Sequence, residues 1–203
     1  MLHLATLAPA TLGLLRRIQS QDAFADTRLV GGAALALHFG HRTSFDLDLF
    51  GTWKPMPPLE LVLANCATQV MKTGGEGALQ FFTVDDVKID CVTYPYKWLR
   101  PAIVSDGIRL ADIPDIAAMK LAAATNRGTR KDFVDIYFLL QKYSLRQMLD
   151  WYNEKYPDGN DYLVLRSIVY FDDAELEPMP NMLTPVEWKS VTDIIELAVR
   201  ELG

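Results

Sequence analysis

The chain has 203 residues, 50% of them hydrophobic and 23% charged, a composition that excludes disordered and collagen-like classes and suits a soluble globular protein with one good core or two modest ones. A formal charge of −6 excludes a protein that coats nucleic acid by charge alone, since that needs many cationic contacts to phosphate, but leaves room for a local basic patch that docks an RNA end. No apolar run approaches the roughly 20 residues of a membrane span, and in MLHLATLAPATLGLLRRIQSQ the basic pair follows the apolar stretch, the reverse of a secretory signal, so no membrane association and a cytoplasmic location are expected.

In chain order, Leu12, Leu14, Leu15 and Ile18 recur at helical spacing and predict an opening helix over about residues 9–20. TRLVGG reads as a short strand that stops at two glycines, and AALALHFG as a helix ended by Gly40, a residue suited to a left-handed cap. SFDLDLFG alternates: Phe45, Leu47 and Leu49 are expected on one face, Ser44, Asp46 and Asp48 on the other. PPLELVLANCATQVM predicts a helix opened by prolines. GALQFFTVDDVKIDCVTY predicts a hairpin turning at Asp85 and Asp86, with Asp90 on the polar face of its second strand. Beyond Pro101 the pattern is helical: IPDIAAMKLAAATNR, RKDFVDIYFLLQKY, SLRQMLDWYNEKY, then roughly 161–170 and 185–202, with the loop FDDAELEPMPNM before the last. The expected division is 1–105 and 106–203. Cys66 and Cys91 lie among apolar neighbours with no metal-binding spacing and are expected as buried free thiols.

The chemistry is concentrated on the acidic strand. Carboxylates at i and i+2 project from one face roughly 7 Å apart, so Asp46 and Asp48 can converge on hard cations. Magnesium, with manganese as an alternative, completes its shell with phosphate oxygens and stabilises the attacking and leaving oxygens of an in-line phosphoryl displacement. Asp90 then suits a third ligand or a base for the attacking hydroxyl. An Asp-x-Asp pair by itself is more often a solvated face. Here it follows Gly31-Gly32, whose backbone N–H groups can approach phosphate with no side chain in the way, although an ordinary tight turn accounts for the glycines equally simply.

Taken together, LVGGAALALHFGHRTSFDLDLF resembles the signature of the AbiEii/AbiGii toxin-type nucleotidyltransferases, a branch of the DNA polymerase β-like superfamily: hydrophobic strand, Gly-Gly, small-residue helix, Gly-His-Arg, Ser, Asp-x-Asp. AAMKLAAATNRGTRKDFVDIYFLL is similar to the family's Lys, Arg and Asp-x-x-Asp motif, and the likeness covers about residues 9–143. The resemblance implies an α+β fold, a mixed-sheet nucleotidyltransferase domain with flanking helices followed by a helical domain. It implies Asp46 and Asp48 as metal ligands, with Gly31, Gly32 and Ser44 near the triphosphate of an NTP. It also implies that Lys120 neutralises phosphate charge, and that Asp135, together with Asp132, faces the site. The implied setting is a toxin with an RNA acceptor, such as a tRNA 3′ end, and a cognate antitoxin.

On the residues themselves, Lys120 sits on an apolar helix, where an ammonium either snorkels or meets an anion. Arg127, two turns on, extends a basic stripe with it or complements the helix dipole. Asp132 suits a first helical turn without any further role. Asp135 lies beside Ile136, Tyr137 and Phe138 on a helix that reads as buried, and a buried carboxylate needs a partner. Arg42 either binds a phosphate or anchors its loop. His38 and His41 read as structural, and Tyr94, Tyr96 and Trp98 as core aromatics more readily than as base-stacking rings. Two rival functions stay open beside RNA nucleotidyl transfer: an aminoglycoside-type small-molecule nucleotidyltransferase, and a catalytically silent nucleotide-binding regulator.

Overall fold

The computed structural model describes residues 1–53 and 58–202. They form two compact units, Met1–Pro95 with Ala102–Ala111, and Tyr96–Pro101 with Asp112–Gly203. The fold class is the expected α+β.

The first unit contains strands β1 (Thr27–Val30), β2 (Leu47–Gly51), β3 (Val70–Gly74), β4 (Leu79–Val84), β5 (Val87–Thr93), β6 (Ile103–Ser105) and β7 (Ile108–Leu110). They make one seven-stranded mixed sheet in the order β3-β4-β5-β2-β1-β7-β6. β1 runs antiparallel to β2 and β2 parallel to β5, which aligns Leu29, Leu49 and Cys91, and beside them Leu47 and Ile89. All five are at most 1% exposed, and burying each Leu or Ile contributes about 1.5–3 kcal/mol. Helix α1 (Pro9–Gln19) starts at a proline that needs no N–H partner there, and it buries Leu12, Leu14, Leu15 and Ile18. Helix α2 (Gly31–Phe39) ends at Gly40 in the left-handed conformation, φ 68°, as expected. α3 spans Leu59–Ala64.

Three expectations are corrected. Phe45 does not join Leu47 and Leu49; it is 62% exposed. The ladder with β1 ends at Val30–Asp48, because Gly31 turns the chain into α2, so the residues before Leu47 have no strand on that side to enforce alternation. The helix predicted through Met71 stops at Ala64, and Val70 and Met71 belong to β3. The N–H groups of Thr68 and Gln69 donate to Asp85 Oδ1 at 3.0 and 2.8 Å, and this clasp by the hairpin carboxylate starts the strand. Pro57, in the predicted helix start, lies outside the described residues. Finally, IVSDGIRL is a hairpin and not helical: Asp106 and Gly107 adopt φ 54° and 76°, the two positive values a two-residue turn of this kind needs. The predicted β4–β5 hairpin turns in the same way at Asp85 and Asp86, φ 45° and 65°.

The change-over expected at 105/106 is therefore threaded. β7 pairs parallel to β1 at Leu29–Leu110, and Gln19 and Arg109 exchange two 2.8 Å hydrogen bonds, which holds residues 102–111 in the sheet unit. Residues 96–101 are held in the helical unit by Asp115, whose Oδ1 and Oδ2 accept from the N–H groups of Leu99 (3.0 Å) and Arg100 (3.1 Å).

The second unit comprises α4 (Ile113–Asn126), α5 (Arg130–Leu140), α6 (Leu145–Lys155), α7 (Asp161–Ile168), the short α8 (Asp172–Glu175) and α9 (Trp188–Arg200). Side chains of Asp112, Ser144 and Asn160 accept N–H groups that open α4, α6 and α7. Phe133 meets Phe171 and Trp188 edge-on at 5.0 and 6.0 Å. Arg130 donates to the carbonyls of Ala174 and Glu175 at 2.8 Å, tying down the loop that the sequence leaves irregular. Among the described residues no helix is long and apolar enough to cross a membrane.

Candidate active site

The sheet pairs Asp48 on β2 with Asp90 on β5, neighbours across a parallel ladder, so both project from the face opposite Leu47, Leu49, Ile89 and Cys91. Asp90 Oδ2 lies 3.4 Å from Lys88 Nζ. Its Oδ1 is buried with no hydrogen-bond partner among the described residues, and a carboxylate oxygen in that condition is costly unless something else satisfies it. Asp46 is half-buried and directly precedes β2. Among the described residues no group of three or more His, Cys, Asp or Glu is gathered closely enough to hold a metal ion.

Gly31 opens α2 with φ +65°, and a Cβ there would lie 2.1 Å from Asp48 Oδ2. The Asp48 carboxylate thus occupies the space that the missing side chain frees, at the positive end of a nine-residue helix whose N-cap supplies no side-chain acceptor. A Cβ on Gly32 would lie 2.2 Å from Arg42 Nη2, so the guanidinium packs over that glycine. Arg42 is buried and donates from Nη1 to the carbonyl of Thr43 at 3.0 Å, the loop-anchoring geometry. Ser44 is buried, its N–H donating to the carbonyl of Thr6 at 3.0 Å. His38 Nε2 meets the Ala111 carbonyl at 2.9 Å and His41 stacks edge-on with Phe39, structural uses for both. Tyr94 packs on Phe50, and Tyr96 on Tyr156. Burial raises the thiol pKa of Cys66, Arg17 opposing, and raises that of Cys91 with help from Asp90.

In the helical unit the structure gathers Lys120, Arg127, Asp132 and Asp135. Lys120 Nζ stands 2.9 Å from Asp132 Oδ1 and 2.5 Å from Asp135 Oδ2, with both carboxylates fully buried and the lysine 4% exposed. It meets anions and does not snorkel. Arg127 Nε reaches Asp132 Oδ2 at 3.1 Å, and Thr129 Oγ1 donates to that oxygen at 2.5 Å. Burial raises the Asp132 pKa, but Lys120 and Arg127, followed by the hydrogen bonds from Thr129 and Lys120, outweigh it and hold the group at about 2.

A second buried pair went unread in the sequence: Lys155 Nζ to Asp115 Oδ1 at 2.6 Å, both side chains fully buried, with Nζ also donating to the Lys97 carbonyl and lying 4.7 Å from the Trp98 ring centre. Asp115 in a first turn and Lys155 in a last turn look like ordinary dipole partners, so their sequence positions carry no signal. Thr129 did carry one, since Thr-x-x-Asp at a helix start is a local capping pattern.

Similarity to known proteins extends along nearly the whole chain. A family described as nucleotidyl transferase AbiEii toxin, type IV TA system, matches residues 13–196. An uncharacterized protein of Aquifex aeolicus is 31% identical over 197 residues, covering 92% of this chain and 93% of that one. The crystal structure of JHP933 from Helicobacter pylori has a similar fold, with a TM-score of 0.61 at 16% identity over 97% of this chain and 93% of that one.

Proposed function

The chain belongs to the AbiEii nucleotidyl transferase toxin family and is a nucleotidyltransferase, and from that premise we propose that it transfers an NMP group from an NTP to a hydroxyl of RNA, such as a tRNA 3′ end, as the toxin partner of a cognate antitoxin. The observation that carries the reading is Asp90 Oδ1, a buried unpartnered oxygen on the strand residue paired with Asp48.

In this reading the acceptor oxygen bonds to the α-phosphorus as that phosphorus loses its bridging oxygen to the β-phosphate. Pyrophosphate leaves with the bonding pair, and the hydroxyl proton passes to Asp90 Oδ1. Asp46 and Asp48 would hold magnesium or manganese, which when bound would neutralise charge on the attacking and leaving oxygens. The carboxylate oxygens of Asp48 on β2 and of Asp46 directly before it are the hard donors such a cation takes. Backbone N–H groups at the start of α2 would receive phosphate oxygens, beside the Asp48 carboxylate and the Arg42 guanidinium that Gly31 and Gly32 admit to the helix start by having no side chain. Arg42, fixed over Gly32, and Ser44 would border those N–H groups.

The test is incubation with each radiolabelled NTP, magnesium and total RNA, beside an Asp48→Asn variant. Label in RNA that vanishes with Asp48→Asn, while the thermal melt without metal holds or rises, is the expected result; replacing one of two neighbouring like charges relieves repulsion. Label in RNA that persists in Asp48→Asn would remove the metal-site assignment. Label in a small molecule would favour the aminoglycoside-type alternative, with which the charge of −6 is easier to reconcile. Label nowhere would favour the silent regulator.

A further inference from the structure

The helical unit carries a cavity of about 390 Å³ at the C-terminal end of α4 and along α7, within the size range of small-ligand sites. α7 is two-faced. Val164 and Ile168 are fully buried, whereas Tyr162 and Arg166, one turn apart, line the cavity with Tyr170 and Arg127. Tyr162 is 68% and Tyr170 55% exposed. The Arg166 guanidinium lies 5.9 Å from the Tyr162 ring centre. A single exposed tyrosine needs no explanation, but two, with Arg166, around one cavity place flat π-surfaces beside a phosphate-binding fork.

We propose that this cavity is a stacking platform for the single-stranded end of the RNA acceptor, with bases on Tyr162 and Tyr170 and phosphate on Arg166. The proposal rests on the reading that RNA is the acceptor. Stacking explains how a chain of net charge −6 holds RNA, because base–aromatic contact is sequence-tolerant and needs few cations. Asp173, also on the lining, disfavours a phosphate-coating mode and leaves base faces as the main contact.

The test is fluorescence anisotropy of the full chain with a labelled single-stranded RNA oligonucleotide and no NTP. Tyr162→Ala with Tyr170→Ala should weaken binding roughly tenfold or more. Tyr162→Phe with Tyr170→Phe should keep it, and all variants should melt as the parent does. The slope of log K against log salt should be shallow, about −0.7 for the one phosphate contact on Arg166. No binding by the parent, unchanged binding by the double alanine variant, or a slope several times steeper would each overturn the platform. The transfer assay separates this failure from that of the parent reading. RNA labelling with tyrosine-independent binding leaves the reading standing without the platform, and tyrosine-dependent binding with no RNA labelling leaves the platform without the reading.

Discussion

Replacing Lys120 with Met separates two roles for its ammonium, a phosphate partner and an internal counter-ion. The structure sets Nζ 2.9 and 2.5 Å from two fully buried carboxylates. Lys120→Met removes the charge at similar volume and leaves Asp132 with Thr129 and an Arg127 side chain that is 58% exposed. Breaking a buried pair by deleting one partner costs about 3–5 kcal/mol, a large fraction of the roughly 5–15 kcal/mol that holds a domain folded. Urea unfolding at pH 7 should show a loss of that size. The pH dependence supplies an internal check. Asp132 is lowered from 3.8 to about 2, so its ionised form contributes about 2 kcal/mol of stability, fully present above pH 3.8 and lost as pH falls through about 2. Lys120 is the larger of the two charges that hold it there, so the variant loses less over that window, and the gap between parent and variant should narrow on acidification. A variant as stable as the parent at pH 7, with weakened NTP affinity by calorimetry, would refute the counter-ion argument and return the ammonium to the phosphates.

Gly31→Ala should abolish most transfer while costing only about 1 kcal/mol or slightly more in urea, because its Cβ would meet Asp48 Oδ2 at 2.1 Å and its φ is +65°; unchanged transfer would show that the Asp48 position is not critical. Asp115→Asn should destabilise the helical unit by about 3–5 kcal/mol by stranding the buried Lys155, and pairing it with Lys155→Met should recover part of that loss; a double variant whose loss is the sum of the two single losses would deny the coupling.

The sheet's centre was readable because strict alternation and a stop at glycine are local signals. Leu47 and Leu49 fall on the buried face and Asp48 on the other, as the two-residue period requires. Its edges were not. β3 starts where Asp85, sixteen or more residues away, captures two N–H groups, and no window of sequence around Val70 contains that partner. Phe45 failed for a related reason: alternation predicts burial only while a neighbouring strand exists, and whether β1 reaches it depends on where Gly31 turns the chain. The Asp106-Gly107 turn was legible in principle, since Asp-Gly between short apolar runs is a hairpin signal, but the helical texture that follows masks it.

The charged residues divide along the same line. Asp46, Asp48 and Asp90 stood out because each interrupts an apolar strand at a position where only the opposite face can be buried. Lys120 and Asp135 stood out because each sits in an apolar helix where a charge demands a partner, and the structure supplies each with the other. Asp115 and Lys155 are as deeply buried, yet they lie at helix ends, where a charge of their sign is favourable in water as well as in a core. A sequence reveals a buried ion pair only when its members occupy positions that would otherwise repel charge. The visible set therefore holds two kinds of charge, and the carboxylates on the sheet are the ones whose substitution should separate activity from stability, whereas Lys120 and Asp115, each closed into a buried pair, are the ones whose substitution should not.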